Sequence, residues 1–575
     1  MSSRSGRFIA SYNGEIYNFR ELRSALESKG VRFKGGSDTE VMVEACELYG
    51  VCNAVKMFTG MFAISIWDRK EKKLYLVRDR VGIKPIFWGK ENGRFVFASE
   101  LKAIRANPHW KAELDMGSVS DFICNSFISV PRSIYRNVRK LRPGHILEYS
   151  PETGEVKEYA YWSLLDTLSG PKKNFKNSGD AVCELEALIK DSVKIRMISD
   201  VPFGAFLSGG IDSSLVVALM QSQSLSKIRT FSIGFAEESY NESHYASNVA
   251  KYVGTDHSEI LLTSDDAFKL VPGIPDIYDE PMADSSQLPT TLLSSYTRKN
   301  VTVALSGDGG DELFAGYDKY YDIGLPLRAF FYGLPSPVGA LLKCALAALR
   351  IARGDSFLER MLKSRHFSVY KLRQVSELLS REYPLAAYIV SPNIFLAKDV
   401  VKGFKMPHGE YDFDLKKPMF ESIFQAIQYY ETTHSMVDDI LVKVDRASMF
   451  SSLEVRVPIL DHRIVEFAFS IPSDLKYRDN MRKWILKQVL FKYVPKEFFE
   501  RNKAGFVIPL NEWICGKLRP LISDSLSEER VRRIGLFNSG AVSKILSRHF
   551  SGMQNYSKLI WNMFVFDMWY ARWME

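Results

Sequence analysis

The sequence has few cysteines, and no two of them have the spacing of a metal site or a redox motif. Six cysteines are scattered over 575 residues without a C-x-x-C pair, which argues against a zinc site and against a disulfide framework. We therefore expect a cytoplasmic, reducing compartment. The six positions are Cys46, Cys52, Cys124, Cys183, Cys344 and Cys515.

Long apolar runs, targeting segments and blocks of like charge are also missing. Residues 338–352 form the longest apolar tract, but it contains Lys343 and Arg350 and is shorter than the roughly 20 residues that span a bilayer. The polar residues 1–7 do not resemble a signal peptide. The net charge is 76 − 68 = +8 and is spread along the chain, so we expect neither nucleic acid nor a membrane as partner.

A loop rich in serine and glycine is the most informative stretch that is present. Residues 201–207 have the length and composition of a buried strand, and residues 215–220 predict a helix. The intervening loop, residues 208–214, therefore lies at a helix N-terminus, where backbone N–H groups and the helix dipole favour an anion. Gly209 and Gly210 permit close approach of the backbone to that anion.

No lysine follows these glycines, so the loop is not a Walker A motif. Asp212 would repel a bare phosphate, which predicts a Mg²⁺ ion between them. The alternative is a simple Gly-Gly turn. The stretch resembles the pyrophosphate loop of the ATP pyrophosphatase superfamily, whose members release pyrophosphate and adenylylate a substrate.

From residue 181 onward, short apolar strands alternate with helices, which predicts an α/β parallel sheet with ligands at the carboxyl ends of its strands. Residues 306–317 follow the strand predicted at 301–305 and contain three acids and four glycines. We assign Asp311 as the second Mg²⁺ carboxylate, facing Asp212. The alternative is a solvated turn.

Residues 1–162 show an α+β pattern with antiparallel hairpins. Asn13, Gly14 and Glu15 follow the strand predicted at 7–12, and Asp38 opens a predicted helix. A type I′ turn and a helix cap are the alternatives. Together with residues 79–85, however, these residues resemble the Ntn-type glutaminase domain of class II amidotransferases. That resemblance implies an oxyanion hole at Asn13 and Gly14, a glutamine α-amine site at Asp38, and Glu15 beside them.

This region departs from that family in one respect. The family's nucleophile is a cysteine at the mature N-terminus, and residues 1–12 contain no cysteine. Ser2 as an N-terminal nucleophile is the alternative, but it lies only eleven residues before Asn13. We therefore expect that the chain begins at an internal Met and has a truncated glutaminase domain.

The C-terminal part adds charged residues interleaved with apolar ones at residues 438–449 and 453–461. Residues 481–487 predict the start of a helix, and residues 501–506 follow a turn. Lys483 would offset the charge that develops on departing pyrophosphate; the alternative is a lysine on a helix surface. Residues 320–430 read as mostly helical. The expected division is residues 1–162, a linker at 163–180, and residues 181–575.

Taken in order, these motifs resemble the glutamine-hydrolysing asparagine synthetases. The resemblance implies that ATP and aspartate give β-aspartyl-AMP and pyrophosphate, and that ammonia from glutamine then displaces AMP. Asp308 would lie near the adenylate, although many members of the family carry Glu at this position. Whether the protein forms a homodimer is left open. The implied ATP and pyrophosphate contacts are Leu207, Ser208, Gly209, Gly210, Asp212, Ser213, Ser214, Ser232, Ile233, Ser306 and Gly307.

Three alternatives stay open. One is a related amide-forming ligase acting on another carboxylate, such as a sugar acid, a peptide or a β-lactam precursor. The second is a tRNA-thiolating relative, which would need paired cysteines near the loop. The third is a non-catalytic regulatory homologue. For the chain as given, we expect amide synthesis from free ammonia but not from glutamine.

Overall fold

The structure of the chain is a computed structural model that describes residues 1–91, 93–235, 241, 243–317, 394–405, 420, 423–500 and 508–575. The predictions for residues 501–506, and for residues 320–430 apart from 394–405, 420 and 423–430, lie outside these ranges. Within the described residues, every helix is too short or too polar to cross a lipid bilayer.

Residues 1–162 form two antiparallel sheets, as the hairpin pattern predicts. The larger has the strand order β1-β2-β3-β7-β8, and the smaller has the order β5-β4-β6. The strands are β1 Phe8–Ile16, β2 Gly60–Asp68, β3 Lys73–Arg78, β4 Phe87–Glu91, β5 Arg94–Ala98, β6 Val138–Lys140, β7 His145–Tyr149 and β8 Val156–Ala160. The helices are α1 Phe19–Glu27, α2 Asp38–Tyr49, α3 Val51–Met57, α4 Leu101–Arg105 and α5 Met116–Asn125.

The first strand is longer than the sequence pattern indicated. Asn13, Gly14 and Glu15 do not follow β1 but lie inside it, paired with residues 61–63 of β2. Glycine is required at position 14 because its φ is 148° and a Cβ there would lie 2.0 Å from the carbonyl oxygen of Met61. The prediction that these three residues follow the strand was therefore wrong. Gly14 suggests a turn by composition, but in the structure it allows the backbones of β1 and β2 to approach closely.

The second region is built on a parallel sheet with the strand order β11-β10-β9-β12-β13. This confirms the predicted fold class of an antiparallel α+β region followed by a parallel α/β region. The fifth strand was not predicted because two of its three residues, Glu454 and Arg456, are charged, so it has no apolar run. The strands are β9 Phe203–Phe206, β10 Arg229–Phe235, β11 Asp256–Leu262, β12 Val303–Leu305 and β13 Glu454–Arg456, and a separate hairpin comprises β14 Tyr477–Arg478 and β15 Met481–Arg482.

Helices cover both faces of this sheet and form the C-terminal part of the chain. A π-helix at Glu431–Ile440 leads directly into one of them, α16. The helices are α6 Leu164–Ser169, α7 Ser178–Arg196, α8 Ile211–Ser222, α9 Ser243–Val253, α10 Ser264–Leu270, α11 Ile274–Ile277, α12 Gln287–Arg298, α13 Gly310–Phe314, α14 Ile394–Val400, α15 Ile423–Tyr430, α16 Leu441–Phe450, α17 His462–Ser470, α18 Trp484–Leu490, α19 Leu510–Cys515, α20 Arg519–Ser525, α21 Glu528–Ile534, α22 Ser539–Phe550 and α23 Ser557–Trp573.

The two regions share a continuous interface. Phe122 of α5 packs in the same apolar cluster as Phe566 of α23. The stretch predicted as a linker contains α6, whose Leu164 and Leu168 are buried against the second region. Both faces of α5 are therefore occupied, which explains why nearly all of its residues are buried.

Buried ion pairs also cross this interface. The Lys84 ammonium lies 2.9 Å from the Asp445 carboxylate, and Lys140 lies 2.7 Å from Glu280, with all four side chains largely buried. Removing one partner of such a pair leaves an uncompensated charge in a poorly solvated place. The interface therefore fixes how the two regions are oriented.

Candidate active site

The serine- and glycine-rich loop lies between β9 and α8, at the carboxyl edge of the parallel sheet. Helix α8 begins at Ile211, so Asp212, Ser213 and Ser214 form its first turn rather than a loop. Ser208 and Ser213 share a hydrogen bond of 2.9 Å between their hydroxyl oxygens, which holds the loop against the helix. The loop thus brings backbone N–H groups and hydroxyls to one place, as the sequence predicted.

Two features of this loop fit an anionic ligand. Helix α8 has no side-chain N-cap, and the buried Ser214 hydroxyl has no hydrogen-bond partner among the described residues. Gly209 has a φ of 71°, and a Cβ there would lie 2.7 Å from the backbone nitrogen of Ala246. An uncapped helix N-terminus with spare hydroxyls is the arrangement that binds phosphate.

A lysine joins the two carboxylates predicted to hold a metal. The Lys483 ammonium lies 2.7 Å from Asp311 Oδ1 and also contacts Asp212 Oδ2. Burial disfavours its charge, but the two carboxylates outweigh burial and hold the pKa of Lys483 above its usual range. The structure therefore brings together three residues that are up to 271 positions apart in the sequence.

The backbone at Lys483 differs from the sequence-based expectation. Lys483 is not inside a helix; it precedes α18 with a φ of 51°, in the left-handed region. It follows the hairpin β14–β15, and this places it at the start of the helix. The conformation directs the side chain toward α8 instead of along a helix surface, so the alternative of a surface lysine does not hold.

Three glycines let these elements approach one another. A Cβ at Gly307 would lie 2.5 Å from the backbone nitrogen of Ser213, and one at Gly310 would lie 2.2 Å from Asp212 Oδ1. A Cβ at Gly316 would lie 1.8 Å from Asp311 Oδ1. The glycine-rich stretch after β12 is therefore a close-packed wall of the site and not a solvated turn.

Asp308 lies on the same stretch but has different neighbours. Its carboxylate accepts a hydrogen bond of 2.8 Å from the Ser306 hydroxyl. Burial raises the pKa of Asp308, and the positive charge of Lys443 opposes that rise. The charges of Lys443 and Asp311 therefore act on the pKa of Asp308 in opposite directions.

Lys443 is a residue of this site to which the sequence analysis assigned no role. Its ammonium lies 2.8 Å from Asp284 Oδ2 and 2.8 Å from the Ser286 hydroxyl. Burial opposes its charge, yet Asp284 and Asp439 hold the pKa of Lys443 above its usual range. The signal was the interleaving of charged and apolar residues at 438–449, which by itself fits a packed helix equally well.

Asp212 and Asp311 have the oxygen donors that Mg²⁺ prefers. Among the described residues, no group of three or more His, Cys, Asp or Glu side chains has the geometry of a metal site. Two carboxylates beside a phosphate-binding loop fit an ion whose other ligands are phosphate oxygens and water, which is the usual situation of Mg²⁺. These residues therefore fit the ion, and in the structure the single positive charge of Lys483 offsets part of their negative charge.

Ser232 and Ile233 lie within β10, next to β9 in the sheet. The Ser232 hydroxyl shares a hydrogen bond of 3.1 Å with His257 Nε2, and the Ile233 side chain is buried. Their side chains are thus engaged inside the protein. Any contact of this strand with adenine would be made by the backbone, as the family resemblance implies.

A second group of predicted residues lines a cleft of about 810 Å³ between the two regions. Asp38 Oδ2 accepts hydrogen bonds from the Tyr12 hydroxyl at 2.8 Å and from the Ile16 N–H at 3.0 Å. Asn13 Nδ2 lies 3.3 Å from the Ser99 hydroxyl. Asn13, Gly14, Glu15 and Asp38 all line this cleft.

The outer edge of β1 points its backbone groups into this cleft. Phe8 and Ala10 bond residues 1–3 on the side away from β2, and Ile16 donates to Asp38. Because alternate residues of an antiparallel strand share a side, the Gly14 N–H also points away from β2. A backbone donor beside an amide is the arrangement of an oxyanion hole.

Glu15 connects the cleft to the parallel sheet. Its carboxylate lies 3.6 Å from the guanidinium of Arg456, the last residue of β13. Burial raises the pKa of Glu15 to about 7, although Arg456 opposes the rise. The sequence analysis singled out no role for Arg456, because the strand that carries it was not predicted.

None of the described residues that line this cleft is a cysteine. Cys46, on the neighbouring α2, is fully buried, and burial raises the pKa of its thiol to about 12. The cleft therefore has recognition groups for a polar ligand but no thiol directed at it.

Comparisons with known proteins match both regions of the chain. A family model described as asparagine synthase matches residues 184–571, and one described as a glutamine amidotransferase domain matches residues 1–162. Asparagine synthetase (glutamine-hydrolyzing) 1 of Bacillus subtilis is 32% identical over 570 residues, covering 97% of this chain and 85% of that protein.

Two further relatives show the same similarity. A putative asparagine synthetase (glutamine-hydrolyzing) 2 of Methanocaldococcus jannaschii is 33% identical over 459 residues, which are 78% of this chain and 83% of that protein. A putative asparagine synthetase (glutamine-hydrolyzing) of Mycobacterium tuberculosis is 29% identical over 583 residues, covering 99% of this chain and 85% of that protein. The chain therefore belongs to the asparagine synthase family.

Proposed function

We propose that this chain is an ATP-dependent amide-forming ligase that converts aspartate to asparagine and releases AMP and pyrophosphate. The observation that carries the proposal is the cluster of Asp212, Asp311 and Lys483 beside the loop between β9 and α8. In the first step, an oxygen of the aspartate β-carboxylate bonds to the α-phosphorus while the α–β phosphoanhydride bond breaks. Pyrophosphate leaves with that electron pair, and ammonia then replaces AMP at the acyl carbon, losing a proton.

The residues of the chain have distinct roles in this proposal. The loop N–H groups and the Ser208, Ser213 and Ser214 hydroxyls bind the phosphates. Lys483 stabilises the negative charge that grows on the leaving pyrophosphate. Mg²⁺ held by Asp212 and Asp311 would neutralise charge on the phosphate oxygens.

Asp308 and Lys443 form the adjoining part of the site, where we place the acceptor acid and its adenylate. Lys443 is fixed by Asp284 and Ser286, so its positive charge is oriented before a substrate arrives. A preoriented ammonium suits a substrate carboxylate. Asp308 is close enough to Lys443 for that ammonium to oppose the rise of its pKa, and a carboxyl with a raised pKa suits contact with the incoming ammonia or the acyl-adenylate.

The nitrogen source is a separate proposal. The cleft supplies the groups expected to hold glutamine, namely the Gly14 N–H, Asn13 and Asp38, but no cysteine lines it among the described residues. We therefore propose that this polypeptide uses free ammonia and does not hydrolyse glutamine. The absent thiol is the supporting observation, because glutamine hydrolysis in this fold needs a nucleophile within reach of the oxyanion hole.

The test is a product analysis with the full chain, ATP, Mg²⁺ and aspartate, using ammonium or glutamine as nitrogen donor. We expect AMP, pyrophosphate and asparagine with ammonium only. ADP with orthophosphate would overturn the ligase proposal, and turnover with glutamine alone would overturn the ammonia proposal. A screen of other carboxylic acids for ATP–pyrophosphate exchange tests whether aspartate is the preferred acceptor.

A further inference from the structure

Lys487 is a partly buried lysine next to the phosphate-binding loop with no role so far. It lies four residues after Lys483, in the first turn of α18, and its backbone N–H donates a hydrogen bond of 2.9 Å to the Lys483 carbonyl oxygen. Among the described residues, no carboxylate lies within ion-pair distance of its ammonium, and no acceptor is hydrogen-bonded to it. Its burial is intermediate, so water solvates it only in part.

The surroundings of Lys487 make an unpaired cation unfavourable. Helix α18 packs against α7, α8 and α13. The first turn of α8 belongs to the phosphate-binding loop, and α13 contains Asp311. Burial lowers the pKa of Lys487, the positive charges of Lys483 and Arg482 lower it further, and Asp212 opposes them. Three cations, Lys483, Lys487 and Arg482, thus lie at this end of α18, where the carboxylates of Asp212 and Asp311 both contact Lys483.

Other lysines of the same segment do not share this situation. The Lys492 ammonium lies 2.6 Å from Glu186. Lys496 lies 3.9 Å from Glu500 and is mostly exposed. Lys487 is therefore distinguished from these lysines by partial burial and adjacent cations without an anionic partner in the part of the chain that the structure describes.

We propose that Lys487 contacts the pyrophosphate part of bound ATP and holds it, together with Lys483, as it leaves. An anion carrying several negative charges would relieve the repulsion between Lys483 and Lys487 and replace the missing partner. Lys483 is occupied by Asp212 and Asp311, so a second cation is needed to bind the phosphates without giving up that contact. This inference rests on the proposed release of pyrophosphate.

The experiment compares Lys487→Gln and Lys487→Arg with Lys492→Gln as a matched control. Inhibition by added inorganic pyrophosphate is measured beside the KM for ATP and for aspartate. Losing one charge-assisted contact should weaken pyrophosphate inhibition by about 10-fold to 100-fold in Lys487→Gln, with the KM for aspartate unchanged. Lys487→Arg should restore most of the inhibition, and Lys492→Gln should behave as the original chain.

Direct binding of inorganic pyrophosphate with Mg²⁺, followed by calorimetry, gives a readout that does not need turnover. Equal pyrophosphate affinity in Lys487→Gln and the original chain would overturn the inference, even if AMP is formed normally. If the original chain forms no AMP, the proposed function fails, but the calorimetric comparison still decides whether Lys487 binds pyrophosphate. Thermal unfolding of each variant checks that the fold is retained, and Lys487→Met, which keeps the apolar stem, repeats the test if Lys487→Gln is unstable.

Discussion

The two sites of this molecule contrast in how completely their charged groups are paired. At the carboxyl edge of the parallel sheet, the Lys483 ammonium contacts both Asp212 and Asp311 in a close-packed setting. In the cleft beside β1, Glu15 lies 3.6 Å from Arg456 in a space of about 810 Å³, and burial raises its pKa to about 7. The first site is compact and its three charged groups are in direct contact, whereas the second is open.

This difference indicates which of the two sites has charged groups already positioned for a reaction. Preorganised charges stabilise a transition state without the cost of reorientation at the moment of reaction. The site with Lys483 has such charges, while the cleft has recognition groups and no thiol among the described residues that line it. We therefore expect changes at the first site to affect turnover and changes at the cleft to affect folding and pH response.

The largest effect is expected for Asp311→Ala. The variant loses a proposed Mg²⁺ carboxylate and leaves Lys483 with Asp212 alone, so pyrophosphate release should be abolished while the fold persists. A coupled assay for pyrophosphate and a circular dichroism spectrum provide the measurements. Normal pyrophosphate release by the variant would show that Asp311 does not hold the metal, and it would contradict the contrast between the two sites.

Lys483→Ala should lower the rate of pyrophosphate release by about 100-fold to 1,000-fold. The variant removes the positive charge that faces the leaving group and leaves Asp212 and Asp311 facing each other. Single-turnover kinetics with saturating ATP is the measurement. Lys496→Ala, an exposed lysine of the same region, is the control and should keep the original rate; equal loss in both variants would contradict a specific role.

At the cleft, Gly14→Ala should lower the free energy of unfolding. This loss of stability should be larger than any change that the variant causes in ligase turnover. Its φ of 148° and the 2.0 Å approach of a Cβ to Met61 O would force β1 from β2, at a cost of about 3 kcal/mol or more. Chemical denaturation followed by tryptophan fluorescence reports this cost. Gly36→Ala, where a Cβ would meet nothing within 4 Å, should change stability little. An unchanged midpoint for Gly14→Ala would show that β1 is not constrained as described.

The smallest effect is a pH dependence from Glu15. The folded chain keeps a proton on this carboxyl up to about pH 7, whereas the unfolded chain releases it near 4.5. Folding therefore takes up a proton in this window, and the free energy of unfolding falls as pH rises through it, by at most about 1.4 kcal/mol per pH unit. Glu15→Gln should flatten that decline in denaturation curves taken from pH 4.5 to 7.5. The exposed Glu152→Gln is the control; the same slope in Glu15→Gln as in the original chain would contradict the burial of this carboxyl.

Much of the ligase site could be predicted because its residues follow strands. The alternation of strands and helices predicts a parallel sheet, and loops after such strands converge at one edge. This reasoning predicts that Asp212 and Asp311 lie near each other, and in the structure the Lys483 ammonium contacts both. It could not place Lys483 correctly, because a left-handed residue before a helix has no clear sequence signal when it is not glycine.

The remaining differences have similar local causes. The strand β13 is three residues long, so its period cannot be recognised, and Arg456 was overlooked with it. Asn13, Gly14 and Glu15 suggest a turn by composition, but pairing with β2 continues through them. Lys443 lies in a run whose charges fit a packed helix, and only its contacts with Asp284 and Ser286 reveal its place in the site.

The buried ion pairs between the two regions have a consequence for how such proteins can be recombined. A chimera that joined residues 181–575 to an unrelated first region would strand Asp445 without Lys84 and Glu280 without Lys140. Each orphaned carboxylate would cost about 3–5 kcal/mol, comparable with the whole stability margin of many domains. We therefore expect an exchange of either half to be tolerated only when both members of each pair are exchanged together.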